Sequence, residues 1–189
     1  MVEPTRGRCY TRRVADLSEV EMLGIMFTSF AGACMNLQFV LGPEAAALLA
    51  DIDPAGWYPI SRYYRIIEIV AHGYTDPGPI LERIGADTVR SWYEAGNHAR
   101  MKRSVDFLAL QVGGQAYHSV VRGPRELLGE VRLLALDEAA GRAVVHTTTL
   151  VPRALQRGIY LGAFQLCGDV TFVQVDNSRD PDVIEIEFH

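Results

Sequence analysis

Gly129-Glu-Val-Arg-Leu-Leu-Ala-Leu136, Asp137-Glu-Ala-Ala-Gly141 and Arg142-Ala-Val-Val-His-Thr-Thr-Thr-Leu150 follow one another without a break, and this stretch decides the fold. The first and third segments predict strands; the third is rich in β-branched residues. The short polar segment between them predicts a hairpin loop. Downstream, Pro152 opens a helix that runs to about Gln165 and holds Gly158 and Gly162. Residues 169–175 and 183–188 then alternate apolar and polar side chains. They predict two more strands with one solvated face each, joined by the turn Asn177-Ser-Arg-Asp-Pro-Asp182.

Upstream of Gly123-Pro124 the period changes. Met22-Leu-Gly-Ile-Met-Phe27 predicts a short buried strand, after which Thr28 or Ser29 caps a helix to about Leu41. Gly42 stops that helix, and Pro43 starts another that reaches about Ile52. Asp53-Pro54-Ala55-Gly56 is a loop. From Ser61 the apolar positions 63, 66, 67 and 70 recur at helical spacing. Thr75-Asp-Pro-Gly-Pro79 turns the chain into a further helix carrying Ile80, Leu81, Ile84, Val89, Trp92 and Tyr93. Residues 103–121 form a third helical pattern, weakened by Gly113-Gly114. The expected class is α+β: an N-terminal helical half packed on a C-terminal antiparallel sheet of about four strands, with a helix inserted between the strand pairs. Residues 1–21 are expected to be an N-terminal arm or short strand, and residues 22–189 a single ligand-binding domain.

Composition narrows the function. Eighteen basic and 23 acidic residues leave a net charge of −5 over 189 residues, which speaks against nonspecific binding to nucleic acid. Cys9, Cys34 and Cys167 are odd in number and lack a Cys-x-x-Cys pair, so neither a disulfide framework nor a thiolate zinc site is expected, and a cytoplasmic location is. Met22 to Leu41 carries no charge and has about the length of a membrane span, but its Gly, Ser, Thr, Asn and Gln residues favour a buried strand and helix. No metal-binding His pair, nucleophile elbow or phosphate loop is present, and no catalytic residue is assigned. Asp176, Asp180 and Asp182 read as a solvated turn, Glu185 and Glu187 as the wet face of the last strand, and His72 as a cation at a helix end. Gly158 and Gly162, four apart, read as close helix–sheet packing.

Several local phrases carry a resemblance. They are Gly24-Ile-Met-Phe27 before a helix and Gly42-Pro43-Glu44, Trp57-Tyr58-Pro59-Ile60-Ser61-Arg62-Tyr63, Ile80-Leu-Glu-Arg-Ile-Gly85, Val105-Asp-Phe-Leu108, Val121-Arg-Gly-Pro124 with Gly129, and Arg157-Gly158 with Gly162. In this order they resemble the superfamily of ligand-binding domains found in nitric-oxide signalling and Golgi transport, and a bacterial chain is expected. That superfamily includes haem-nitric-oxide-binding domains, 4-vinyl-reductase-type small-molecule-binding domains and a myxobacterial-type family of unknown function. The resemblance covers about residues 22–189. It implies a hydrophobic pocket between helices and sheet and a signalling or binding role. It also implies a homodimer, with output through a protein partner.

The haem-binding branch of that superfamily uses a proximal His late in the helix before the sheet and a Tyr-x-Ser-x-Arg signature on the sheet. Aligning Phe107-Leu108 with the family's Phe-Leu brings Gln115 near the His position and His118 one turn further. His146-Thr-Thr148-Thr-Leu150 stands where the signature belongs, with no Arg in register to pair with a carboxylate. The expectation is therefore no cofactor, with His118 the axial residue if haem is held. The pocket is expected to include Tyr63, Trp92, Tyr117, His118 and His146, since amphipathic rings suit an apolar or aromatic ligand. The expected function is a non-catalytic sensor or binding domain for a small hydrophobic ligand. The alternatives are a haem-based gas sensor, a small tailoring or isomerising enzyme with a His/Tyr acid–base pair, and a structural module that assembles with partner proteins.

Overall fold

Two antiparallel sheets and the helices between them make up the chain. The computed structural model describes residues 17–96 and 99–189. Of the arm or short strand expected over residues 1–21, residues 1–16 lie outside the described residues, as does His98.

The first sheet is small. Strand β1 (Glu21–Leu23) lies between β2 (Trp57–Pro59) and β3 (Val121–Arg122), with Met22 opposite Tyr58 on one side and Val121 on the other. Helix α1 (Gly24–Asn36) follows β1 at once. The chain therefore turns helical five or six residues earlier than a cap at Thr28 or Ser29 implies. The reason is in the first turn: Gly24 N–H donates to the Gly56 carbonyl and Ile25 N–H to the Pro54 carbonyl, 2.8 Å each. The 53–56 loop thus satisfies N–H groups that a side-chain cap would otherwise serve. It can come that close because Gly24 has no Cβ, which would collide with the Asp53 carbonyl. Thr28 instead donates back to the Ile25 carbonyl at 3.2 Å within the helix.

Helix α2 (Pro43–Leu49) ends three residues short of the expected stop, and α3 (Ile60–His72) buries Tyr63, Ile66, Ile67 and Val70 as its spacing predicts. Helix α4 (Gly78–Glu94) is continuous through Gly85. The third helical pattern breaks in two, α5 (Asp106–Val112) and α6 (Tyr117–Val120), with Gly114 at φ +70° between them. A short α7 (Arg125–Leu128) leads to the second sheet.

That sheet contains β4 (Val131–Asp137), β5 (Arg142–Thr147), β6 (Val173–Asp176) and β7 (Val183–Phe188) in the order β4-β5-β7-β6, with α8 (Arg153–Leu166) inserted between the pairs. Ala143 faces Ile186 and Val145 faces Ile184, and all four are buried on the side of the helices. Glu185 and Glu187 alternate to the outer face. The expected α+β plan, helices first and a four-stranded sheet last, is what forms.

The tightest packing joins α4 to α8. A Cβ on Gly85 would run into the Leu155 carbonyl, one on Gly158 into the Glu82 carbonyl, and one on Gly162 would stand 2.7 Å from Ala86 Cα. Gly158 and Gly162 therefore serve a helix–helix crossing rather than helix–sheet packing. An Arg157–Glu82 ion pair flanks it. No described helix is long and apolar enough to cross a membrane.

Candidate functional site

Beside that crossing the packing opens. A cavity of about 60 Å³ lies where α4, α5, α6 and α8 meet β1 and the segment leaving β5. Its wall is apolar over most of its extent: Met22 and Met26 from one end, Val89 and Trp92 from α4, Phe107 from α5, Val120 and Val121, and Ile159 and Tyr160 from α8. The polar side chains are Thr88, Gln111, Tyr117, Thr149, Gln156 and Tyr160. No Asp, Glu, Lys, Arg, His or Cys is among the lining residues.

Most of those polar groups are committed to the protein. Thr88 donates to the Ile84 carbonyl of its own helix at 2.7 Å. Tyr117 is a strut: its hydroxyl donates to the Leu128 carbonyl at 2.8 Å and accepts from Leu150 N–H at 3.1 Å, tying α6 to both segments that flank the first hairpin. Gln156 donates its amide to Thr147 at 2.7 Å and Thr149 at 2.9 Å, which fixes α8 to the end of β5. Tyr160 differs. Its ring stands edge-on to Phe107 with centroids 5.5 Å apart, and its buried hydroxyl has no hydrogen-bond partner. Burial raises the pKa of both the Tyr117 and Tyr160 phenols well above the ordinary value, so both stay protonated.

Two of the five residues singled out in the sequence, Trp92 and Tyr117, meet on this wall. The other three lie elsewhere. Tyr63 is packed between Phe27 and Phe30, with ring centroids at 5.2 and 5.5 Å, inside the core of α1 and α3. His118 is one residue beyond Tyr117 on a four-residue helix, so it turns outward. Its ring stands at an angle to Tyr117, 5.0 Å between centroids, and partial burial with Arg125 nearby lowers its pKa. Gln115 is exposed and accepts a bond from Arg100. His146 alternates with the buried Val145 and Thr147, which places it on the other face of the sheet, where its buried Nδ1 is unpaired.

Sequence reasoning missed Tyr160, Gln156, Met22 and Met26. A signal existed for the first two. They sit four apart on α8, so they share one face, offset from the Gly158–Gly162 face that the α4 crossing occupies. Met22 and Met26 belong to a segment read only as a core strand. Among the described residues, no group of three or more His, Cys, Asp or Glu side chains is placed to hold a metal ion.

No protein-family model matches the sequence, and comparison with curated proteins finds no match. Solved structures do match. An H-NOX protein from S. oneidensis in its Fe(II)NO state superposes with a TM-score of 0.66 at 14% identity, over 89% of this chain and 99% of that one. The unliganded Fe(II) H-NOX protein from K. algicida gives 0.60 at 13% identity, over 89% and 97%. A chain solved in work on how protein-induced porphyrin distortion modulates haem redox potential gives 0.63 at 15%, over 88% and 100%. The expectation of a chain with no cofactor is corrected by these neighbours: they are haem proteins, and haem returns as a candidate ligand. At this identity the likeness is one of architecture, and over nearly its whole described length the chain has the haem-nitric-oxide-binding (H-NOX) fold.

Proposed function

We propose that this chain is a sensor-type binding domain that seats a small ligand in the chamber between α4, α6 and α8. The observation that carries the reading is the chamber itself: an apolar void at the junction of the helical half and the sheet. Its walls come from segments that are distant in sequence. Tyr117 ties α6 to both the approach to β4 and the exit from β5. A ligand that displaces the wall therefore biases the relation of helices to sheet, which is the coupling a sensor needs.

Haem-based gas sensing is a second reading, and the structural neighbours favour it. The chamber's residues do not fit haem as they stand. A ligand of that size needs a pocket of at least about 300 Å³. The wall carries no His or Cys for the iron and no Arg or Lys for the propionates. Of the lining side chains with an atom that ligates iron elsewhere, Tyr117 is held by two backbone groups, which leaves Met22, Met26 and Tyr160.

One titration separates the readings. Trp57 and Trp92 are the two tryptophans of the chain, and only Trp92 lines the chamber. In a Trp57→Phe variant, Trp92 fluorescence reports on the chamber. Small apolar molecules are expected to shift it saturably. A stoichiometric Soret band on adding haem, with quenching of Trp92, replaces the first reading with the second. If neither probe class moves Trp92, the chamber is not a binding site.

A further inference from the structure

Resting on the chamber reading above, we infer that the hydrogen bond from the Tyr64 phenol to the Leu150 carbonyl is a latch: a guest that pushes the chamber wall outward breaks it and frees helix α3. The segment 148–152 joins β5 to α8 and belongs to no helix or strand. Thr149 and Val151 of that segment line the chamber, and Leu150, between them, is buried. Both backbone groups of Leu150 are held by phenols from other elements. Its N–H donates to the Tyr117 hydroxyl at 3.1 Å, and its carbonyl accepts from the Tyr64 hydroxyl. Tyr117 is on α6 and borders the chamber; Tyr64 is on α3 and does not.

Helix α3 supplies no residue to the wall and packs on α2, β1 and β2. The Tyr64 bond ties it to a wall segment 86 residues further along the chain. Burial pushes the Tyr64 phenol up to about 12, so it stays protonated and donates. The void, about 60 Å³, is well below the roughly 150 Å³ of an apolar cavity that takes benzene, so a guest of more than a few heavy atoms displaces the wall. The α4–α8 side of the wall is fixed backbone to backbone at Gly85, Gly158 and Gly162, whereas the 148–152 segment has neither helix nor ladder to stiffen it, so the displacement falls there. The Leu150 carbonyl moves with Thr149 and Val151, because rigid peptide units join them. A shift of about 1 Å is enough to lose the bond. Chamber occupancy is then read by a helix that lies off the wall.

The test uses isobutene as the guest. The 13C-labelled methyls of Met22 and Met26 report occupancy of the chamber, and amide hydrogen exchange reports the state of α3. In the wild type, isobutene is expected to shift the methyls saturably and to speed exchange over α3. Tyr64→Phe removes the latch and keeps the ring. It is expected to bind isobutene about fivefold more tightly, because no bond has to be broken, and its α3 exchange, already fast, no longer responds to the guest. Tyr58→Phe is the control: it cuts a phenol that accepts from Asp53 N–H at 2.7 Å and donates to the Asp51 carbonyl at 3.2 Å, two residues off the wall. It is expected to keep the wild-type affinity and response. Unchanged isobutene affinity in Tyr64→Phe overturns the inference. So does an α3 that ignores the bound guest in the wild type, one that still answers it in Tyr64→Phe, or a Tyr58→Phe protein that matches Tyr64→Phe. If isobutene moves neither methyl in any of the three proteins, the chamber reading itself fails, whatever Tyr64 does.

Discussion

Helix α8 presents two regions that share the same partner helix and differ in every physical respect. On one side Gly158 and Gly162 press against the backbone of α4 with no room for a Cβ. Less than a turn away Gln156, Ile159 and Tyr160 border a void. The first region is set by shape and tolerates no added volume. The second is bounded by long, adaptable side chains such as Met22 and Met26, which can repack around an occupant. Gly158 and Gly162 fix how closely α4 and α8 approach, and the void lies beside that contact.

The comparison can be broken most forcefully at the glycine side. Gly158→Val drives two methyls toward the Glu82 carbonyl and is expected to cost about 4 kcal/mol or more, seen as loss of folded protein in urea titration. A Gly158→Val protein of wild-type stability would show that the crossing is not tight. Alkaline pH acts next, and on both sides of α8. Burial holds the phenols of Tyr63, Tyr117 and Tyr160 above the unfolded value of about 10. A raised folded pKa gives stability that is complete below the unfolded pKa and is lost as pH climbs past it. These three phenols are expected to ionise only as the protein unfolds, so their share of the tyrosinate absorbance should rise with the loss of helical circular dichroism above pH ~10.

Smaller effects sharpen the chamber side. Tyr117→Phe removes a donor to Leu128 and an acceptor from Leu150, at an expected cost of about 2 kcal/mol by chemical denaturation. Val89→Ile adds one methylene beside Trp92, where the void can take it, and is expected to change stability by less than about 1 kcal/mol while weakening every chamber ligand. A large destabilisation by Val89→Ile would mean that the wall is already packed to density.

Much of the fold was legible because its signals are local. The alternation over 183–188 gives β7 residue for residue, and the spacing 63, 66, 67, 70 gives the buried face of α3. What escaped depended on contacts between distant segments. The start of α1 is set by carbonyls of residues 54 and 56, about thirty positions away, so no capping residue announces it. The two-residue β3 is too short to show a period and exists only because β1 lies beside it. An aromatic ring on a helical pattern singles out Trp92 and Tyr117, which border the chamber. The same guide could not tell them from Tyr63, because core and chamber use the same residue types. His118 and His146 failed for simpler reasons: one is a residue off the buried face of a single helical turn, the other a residue off the buried face of a strand.

The central claim is that the space beside the α4–α8 crossing accepts a guest. Xenon tests it without presuming the ligand, since apolar cavities take up xenon under pressure. A crystal of this protein under xenon is predicted to show one strong site bounded by Met26, Trp92 and Tyr160. A xenon-free chamber, with those side chains closed over it, would contradict the account.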